Sequence, residues 1–407
     1  MGSEMCIRDR SQSQPFRWFT AVNGASTYIF NPLGQEYLKG KSALERADLL
    51  SQAMGLQYGR TYGPGFFSDA NMNYLSVAIE HADKYGGLHS FRDLELAMMH
   101  PLPGLGRRQQ DDASHVKYLV RRLADLESLN ASRKGGLSES QSSLAIDFSH
   151  VFRSPQTVYF HLSSEHGSQL TADIGRMVLH SLFKSALAQK SAQRKQTYVI
   201  IDEFQRLLAP GLDEIFQQAR SLNISLIVAN QAMDDLKRRD VDLTTTIDTN
   251  TRLKQYFSVT TDHEVKKLSN ASGGTIIMRQ STQHSTYTAS DSVSLIETEV
   301  PRLSVNDLTL ISAKEKRSVL RLRQGQGFAQ YGGFAFAIDS DFTISPAEYN
   351  TRKQASWPSP NEHTIVSQLR ETRSIIDEEK DDESGTEFLD EKKDDKQDGN
   401  SNGKGLF

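Results

Sequence analysis

An α/β fold with a mainly parallel sheet is predicted by three features of the sequence. The run 198–201 is short, apolar and largely β-branched or aromatic, as suits a strand buried on both faces beneath helices. It ends in two carboxylates, Asp202 and Glu203, at the edge where open α/β sheets bind ligands. A helical pattern over 212–222 then leads to a second apolar strand, 225–229, with Asn230-Gln231 at its tip. Leu212, Ile215, Phe216 and Ala219 share one face of that helix.

The remaining elements follow in chain order. Residues 1–10, MGSEMCIRDR, resemble translated sequencing-adapter sequence, and 1–13 is expected to be artefact or disordered; it is too polar for a signal peptide. On this reading the natural chain enters mid-gene near Ser11, with sequence missing upstream. Residues 14–65 are the N-terminal piece of the core: an edge segment, a short strand over 27–30 closed by Asn31-Pro32, and a helix over 43–54 with Leu44, Ala47, Leu50 and Met54 inward. The glycine-rich stretch 55–65 closes the piece as a loop. Residues 66–145 read as an inserted all-α domain. One stripe is Leu75, Ala78, Ile79 and Ala82; a shorter one is Leu94, Leu96 and Met98. The strongest is Val116, Leu119, Val120, Leu123, Leu126 and Leu129.

The core resumes over 146–357. A strand at 157–162 precedes a helix at 172–188 with Ile174, Val178, Leu182, Phe183 and Leu187 inward. After Gln231 come a charged helix over 234–239, a strand over 253–259 and a helix over 262–271. An exposed Ser/Thr-rich hairpin spans 276–299, and two strands, 317–323 and 327–338, close the core. Residues 358–407 read as an acidic, mostly disordered tail, apart from a helical pattern over 366–379.

Charge is distributed unevenly. The chain carries a net −4, but 371–407 alone carries thirteen acids against six Lys/Arg, a net −7, so the rest is +3. That faint excess is weak support for a nucleic-acid partner. The single cysteine, Cys6, excludes an intramolecular disulfide framework and a cysteine-based metal site. No run approaches the ~18 apolar residues that span a bilayer.

A strand ending in Asp-Glu is the Walker B pattern. Its Asp holds the Mg²⁺ of a nucleotide through water, and its Glu polarises the water that attacks the γ-phosphate. Strand–helix–strand with an amide at the second tip is the layout of a RecA-like P-loop ATPase, where Gln231 would sense the γ-phosphate. The plain alternative is a strand ending in two solvated acids. A Walker B strand needs a phosphate loop upstream, and Gly34 with Gly40-Lys41-Ser42 imitates one. Five residues separate the two glycines, one too many, and Glu36 among them would face phosphate oxygens. The stretch therefore reads as a turn into the helix at Ala43. His161 and His166 lie near a strand tip without ligand spacing and read as loop histidines.

The succession YIFNPL (28–33), a helical insertion, VYFHL (158–162), YVIIDEF (198–204) and QQARSLNISLIVANQ (217–231) resembles the TraD/TraG-type conjugative coupling proteins of the HerA/FtsK group. The resemblance spans about 16–358 and is most specific over 198–231. It implies a RecA-like motor with an inserted all-α domain, assembled as a homo-hexamer on the cytoplasmic face of the bacterial inner membrane. Such a ring uses ATP and Mg²⁺ to drive single-stranded DNA, with its relaxase, into a type IV secretion channel. It implies Asp202 for Mg²⁺, Glu203 for water activation, Gln231 as sensor, and Arg220 as a trans-acting arginine finger, with Arg252 a second candidate. It also implies that the acidic tail takes a basic accessory protein of the relaxosome. The sequence departs from the family in lacking a Walker A loop and membrane helices, as truncation upstream of Ser11 would explain, and no ATP turnover is expected of this chain alone. Two other readings stay open: a non-catalytic relaxosome-docking module, and a soluble HerA-like DNA-processing ATPase.

Overall fold

The computed structural model describes residues 16–22, 28–56, 64–130, 145–154, 156–163, 167–191, 194–238, 241–259, 261–284, 291–311, 316–323, 333–341 and 344–354. His166, the expected tail and the helix over 366–379 lie outside them. The described residues group into two compact units: those within 16–197 together with 221–225, and those within 198–220 and 226–354.

In the first unit, β1 (Phe16–Thr20) pairs in parallel with β2 (Thr157–His161). Beneath them the rings of Phe19, Phe148 and Phe160 surround Phe30 at 5.5–6.2 Å, each meeting it edge-on. The expected strand over 27–30 is reduced to one parallel bridge, Ile29 to Ala145. The reason is Asn31, whose side chain accepts the Leu33 N–H at 3.0 Å and turns the chain at once into a 3-10 turn, Pro32–Gly34.

Helix α1 (Ala43–Ala53) starts from a reciprocal capping box between Ser42 and Glu45. Then come α2 (Pro64–Tyr85), α3 (Phe91–Met99), α4 (Arg107–Asp112), α5 (Ser114–Ala124) and α6 (Glu127–Asn130). The expected stripes are buried, including all six positions from Val116 to Leu129, except Leu44 at the start of α1 and Leu96 of the shorter stripe, which are exposed. Asn130 closes the group from inside. It accepts the Phe91 N–H at 2.8 Å and donates to the carbonyls of Leu123 and Leu126 at 2.6 and 2.7 Å. A buried amide so saturated fixes where α3 begins and α5 ends.

After α7 (Phe148–Arg153), α8 (Ser168–Ala188) is buried almost along its whole length. Leu187, expected inward, is exposed in its last turn. Because the burial is not confined to one face, polar residues are enclosed too. His180 is one, and its Nε2 has no hydrogen-bond partner among the described residues. Burial above all, then Lys184 and Arg176, pushes the imidazole down to about 4. Folded His180 is therefore neutral where the unfolded residue would be charged. Stability should be intact above pH 6.5 and fall as pH drops from about 6.5 to 4, by up to ~3 kcal/mol. Urea unfolding of the His180→Gln variant across that window should show a flatter pH profile, and an unchanged profile would contradict this.

β3 (Thr197–Ile201) lies beside β4 (Ile224–Val228), with α9 (Leu212–Gln218) between them in sequence. The bonds Thr197 N–H to Asn223 O and Ala229 N–H to Ile201 O, at 3.0 and 2.9 Å, set a parallel register. Contrary to expectation, β3 is not buried on both faces. Tyr198 is 68% and Ile200 48% exposed, and their neighbour Ile227 on β4 is 50% exposed. An unbroken apolar run suits two-sided burial, but it does not specify which layers cover it or which strands lie beside it. For the same reason the described strands form five sheets of two or three strands, of which β1–β2 and β3–β4 are parallel, rather than one parallel sheet.

The expected charged helix over 234–239 is instead a 3-10 turn, Met233–Leu236, running into β5 (Lys237–Arg238), which pairs with β6 (Val241–Asp242). Asp235 reaches back to the Ala232 N–H at 3.1 Å, a local bond that competes with helix. Helix α10 (Thr244–Asn250) leads to β7 (Leu253–Tyr256). β7, β10 (Arg317–Leu322) and β11 (Ala335–Asp339) form an antiparallel sheet. Against it lies a core of Val259, Val265, Leu268, Leu308, Ile311, Val319 and Ala335, drawn partly from α11 (Asp262–Ala271) and α12 (Val305–Thr309). Between those helices runs a long antiparallel hairpin, β8 (Gly274–His284) and β9 (Asp291–Pro301). Helix α13 (Pro346–Gln354) ends the described chain. Among the described residues no helix is long and apolar enough to cross a membrane.

Candidate functional site

The tips of β3 and β4 are joined by the backbone. Ala229 donates to Ile201 O and Phe204 donates to Ala229 O, both at 2.9 Å, on either side of Asp202 and Glu203. The carboxylate pair and the amide two residues past Ala229, Gln231, thus share one sheet edge. Asp202 is exposed, and its Oδ1 accepts the N–H of Glu203 at 2.9 Å. Gln231 is exposed as well.

Glu203 has a left-handed backbone, φ 50 and ψ 44. That conformation is costly for a residue with a side chain and recurs where geometry serves function. Here it turns the chain sharply into the 3-10 turn Phe204–Leu207, which Phe204 anchors by burial and by an edge-on ring contact with Phe216 at 5.2 Å. The turn brings Arg206 back onto Glu203, Nε to Oε2 at 2.6 Å. Sequence reasoning passed over Arg206, because the three-residue spacing pairs side chains only once the turn is known.

Arg220 sits exposed in the 3-10 turn Ala219–Leu222, at the beginning of β4, whereas Gln231 follows its end. Five strand residues separate those ends by about 17 Å. Arg252 precedes β7, whose hydrogen-bonded neighbour is β10, so strand pairing does not bring it to the β3–β4 edge either. The structure therefore brings Asp202, Glu203 and Gln231 to one sheet edge, places Arg220 at the other end of β4, and puts Arg252 before a strand of another sheet. His161 is exposed at the end of β2.

The imitation phosphate loop is two 3-10 turns, Pro32–Gly34 and Glu36–Leu38, pinned by buried Gln35, which donates to Ile146 O at 3.0 Å. Glu36 pairs with Arg153, and Lys41 is 3.4 Å from Glu45 on α1. A Lys41→Ala substitution should leave ATP affinity, read by calorimetry, unchanged; a tenfold loss would make Lys41 a phosphate ligand.

Mg²⁺ is commonly held by one or two carboxylates together with nucleotide phosphates and water. Asp202, exposed at a strand tip, fits that donor set. The described residues supply no cradle for the phosphates themselves.

Residues 196–313, less than a third of the chain, match the family described as the TraM recognition site of TraD and TraG. Comparison with curated protein sequences finds no match. Among solved structures, the chain resembles the bacterial conjugative coupling protein TrwBdeltaN70 in its unbound form. The TM-score is 0.55 at 9% identity, over 83% of this chain and 81% of that one. Plasmid coupling protein TrwB in complex with ADP and Mg²⁺ gives 0.54 at 9%, over 84% and 82%. TrwB with the ATP analogue ADPNP gives 0.52 at 10%, over 84% and 82%. The TraD/TraG-type resemblance is thus borne out by the match over 196–313, which contains the whole β3–β4 edge, and by the fold.

Proposed function

We propose that the chain is the C-terminal part of an ATP-driven DNA translocase, a conjugative coupling protein that moves single-stranded DNA with its relaxase across the bacterial inner membrane into a type IV secretion channel. The observation that carries this reading is the shared edge of Asp202, Glu203 and Gln231 within the segment that matches the TraD/TraG family. Asp202 would hold Mg²⁺, which when bound offsets charge on the nucleotide phosphates. Glu203 would take the proton of the attacking water, and Gln231 would hydrogen-bond the γ-phosphate. Arg220, at the far end of β4, serves a neighbouring subunit's nucleotide, which calls for a ring; Arg252 is the second candidate for that role. ADP with Mg²⁺, and ADPNP, bound to the structurally similar TrwB support the cofactor assignment.

A TraM-type relaxosome protein is the partner suggested by the matched family's description, and the tail's net −7 suits a basic accessory protein of that kind. On this reading the phosphate loop and membrane helices are encoded upstream. Sequencing the source DNA upstream of codon 11, over one to two domain lengths, tests it. A GxxxxGK[ST] loop after a strand, preceded by two apolar spans, is expected. A stop codon with no such loop would overturn it and leave the non-catalytic docking module.

A further inference from the structure

The hairpin of β8 and β9 has two strands of eleven residues each, and among the described residues no third strand pairs with them. A two-stranded ribbon of this kind is at best marginal in water unless something covers it. Its root is nevertheless fixed. Arg302 donates to Gly273 O at 2.9 Å, and Leu303 N–H donates to Ser272 Oγ at 3.0 Å. The Arg302 guanidinium also lies 5.3 Å over the Phe334 ring. The fold thus holds the ribbon in a set direction.

The register separates its two faces. Ile276 opposes Glu299, Met278 opposes Glu297, Gln280 opposes Leu295 and Thr282 opposes Val293, so all of these positions share one face. On it Ile276 is 67%, Met278 63%, Leu295 68% and Val293 56% exposed. The apolar residues lie on β8 in the root half and on β9 in the half toward the tip. They form a strip running diagonally across the ribbon. Sheets that pack face to face do so with strands crossing at about 30°, and their contact is such a diagonal.

We infer that this strip is a self-association surface, and that its occupant is the same ribbon of a second copy of the chain. A two-fold axis along the strip lays it upon itself. The same operation carries Glu297 and Glu299 to the opposite side of the strip, so like charges do not meet. The area is of the right size. Four such side chains offer about 300 Å² of apolar surface per copy. Apolar atoms make up a little over half of an ordinary interface. Two ribbons would therefore bury on the order of 1,000 Å², near the lower bound for a specific contact.

This contact is two-fold and differs from the head-to-tail contact of a ring, so it goes beyond the proposed function. Sedimentation velocity of the full chain over a concentration series is the test. The wild type should show a reversible dimer, and Met278→Lys with Leu295→Lys should be monomeric with an unchanged far-ultraviolet spectrum. A second variant, Leu295→Cys in a Cys6→Ser background, should form a disulfide dimer under mild oxidation. A monomeric wild type, association untouched by the lysines, or open-ended aggregation with no cross-linked dimer would each overturn the inference. Hexamers unaffected by the lysines would overturn it while supporting the ring.

Discussion

On the proposed function, Glu203→Gln in the translocase is expected to lower ATP hydrolysis by about 10²–10⁴-fold, the usual contribution of a general base. ATP affinity should be unchanged. Gln keeps the size of the side chain and its hydrogen-bonding reach, and it removes only the capacity to accept a proton. The geometry makes the substitution clean, because the strained backbone at Glu203 and the anchoring of Phe204 hold the turn in place. Arg206 adds a diagnostic. Its 2.6 Å contact orients the Glu203 carboxylate, so Arg206→Ala should lower kcat while leaving KM for ATP alone. Both side chains are about half exposed, so little stability rides on the pair. A Glu203→Gln rate within tenfold of wild type would remove Glu203 from the mechanism. In the 407-residue chain itself no turnover is expected; turnover that vanished in Glu203→Gln would bring the 34–42 stretch back as a phosphate loop.

The parts of this architecture that were legible in the sequence are those with an unambiguous period. The six positions from Val116 to Leu129 repeat at helical spacing and all are buried. The alternation over 276–299 identified the hairpin within two residues of each end. Asp202, Glu203 and Gln231 could be placed at one edge because strand tips are marked by where an apolar run stops. Three things were not legible. The partner of a strand is not encoded in its own apolar run, so the expectation of a mainly parallel sheet did not anticipate the five small sheets formed by the described strands. Local side-chain bonds overrode pattern at Asn31 and Asp235, leaving a single bridge where a strand was expected and a 3-10 turn where a helix was expected. And α8 was read for its apolar face alone. In a helix buried nearly all round, the polar positions are inside too, and nothing in the spacing of Ile174, Val178 and Leu182 announces that Asp173 and Arg176 must find each other.

That pair should dominate the stability of the first unit. Asp173 and Arg176 are 2% and 6% exposed at the side chain and in direct contact on one face of α8. Gln169 donates to Asp173 Oδ1 at 3.0 Å. The Arg176 guanidinium packs against Gly55, whose φ of +68 would strain any side chain and where a Cβ would come within 3.3 Å of the guanidinium. Arg176→Met preserves bulk and removes the charge. A buried ion stripped of its partner costs about 3–5 kcal/mol, a large share of the 5–15 kcal/mol that holds a typical domain together. Burial already raises Asp173 above the usual carboxylate range, and Arg176 is the chief influence opposing it. Without Arg176 the raised value climbs further. A carboxyl with a raised folded pKa binds its proton more readily folded than unfolded, so the variant should regain stability as pH falls through that range, as the buried charge is neutralised. Loss of Arg176 also relieves His180, which acts in the same direction. Asp173→Leu combined with Arg176→Met should recover most of the loss, since replacing both members by apolar groups leaves no buried charge behind. Chemical denaturation of the three variants at pH 5 and pH 8 separates these cases. A pH-independent loss below about 1 kcal/mol for Arg176→Met would mean that water reaches the pair and that α8 is held by its apolar contacts alone.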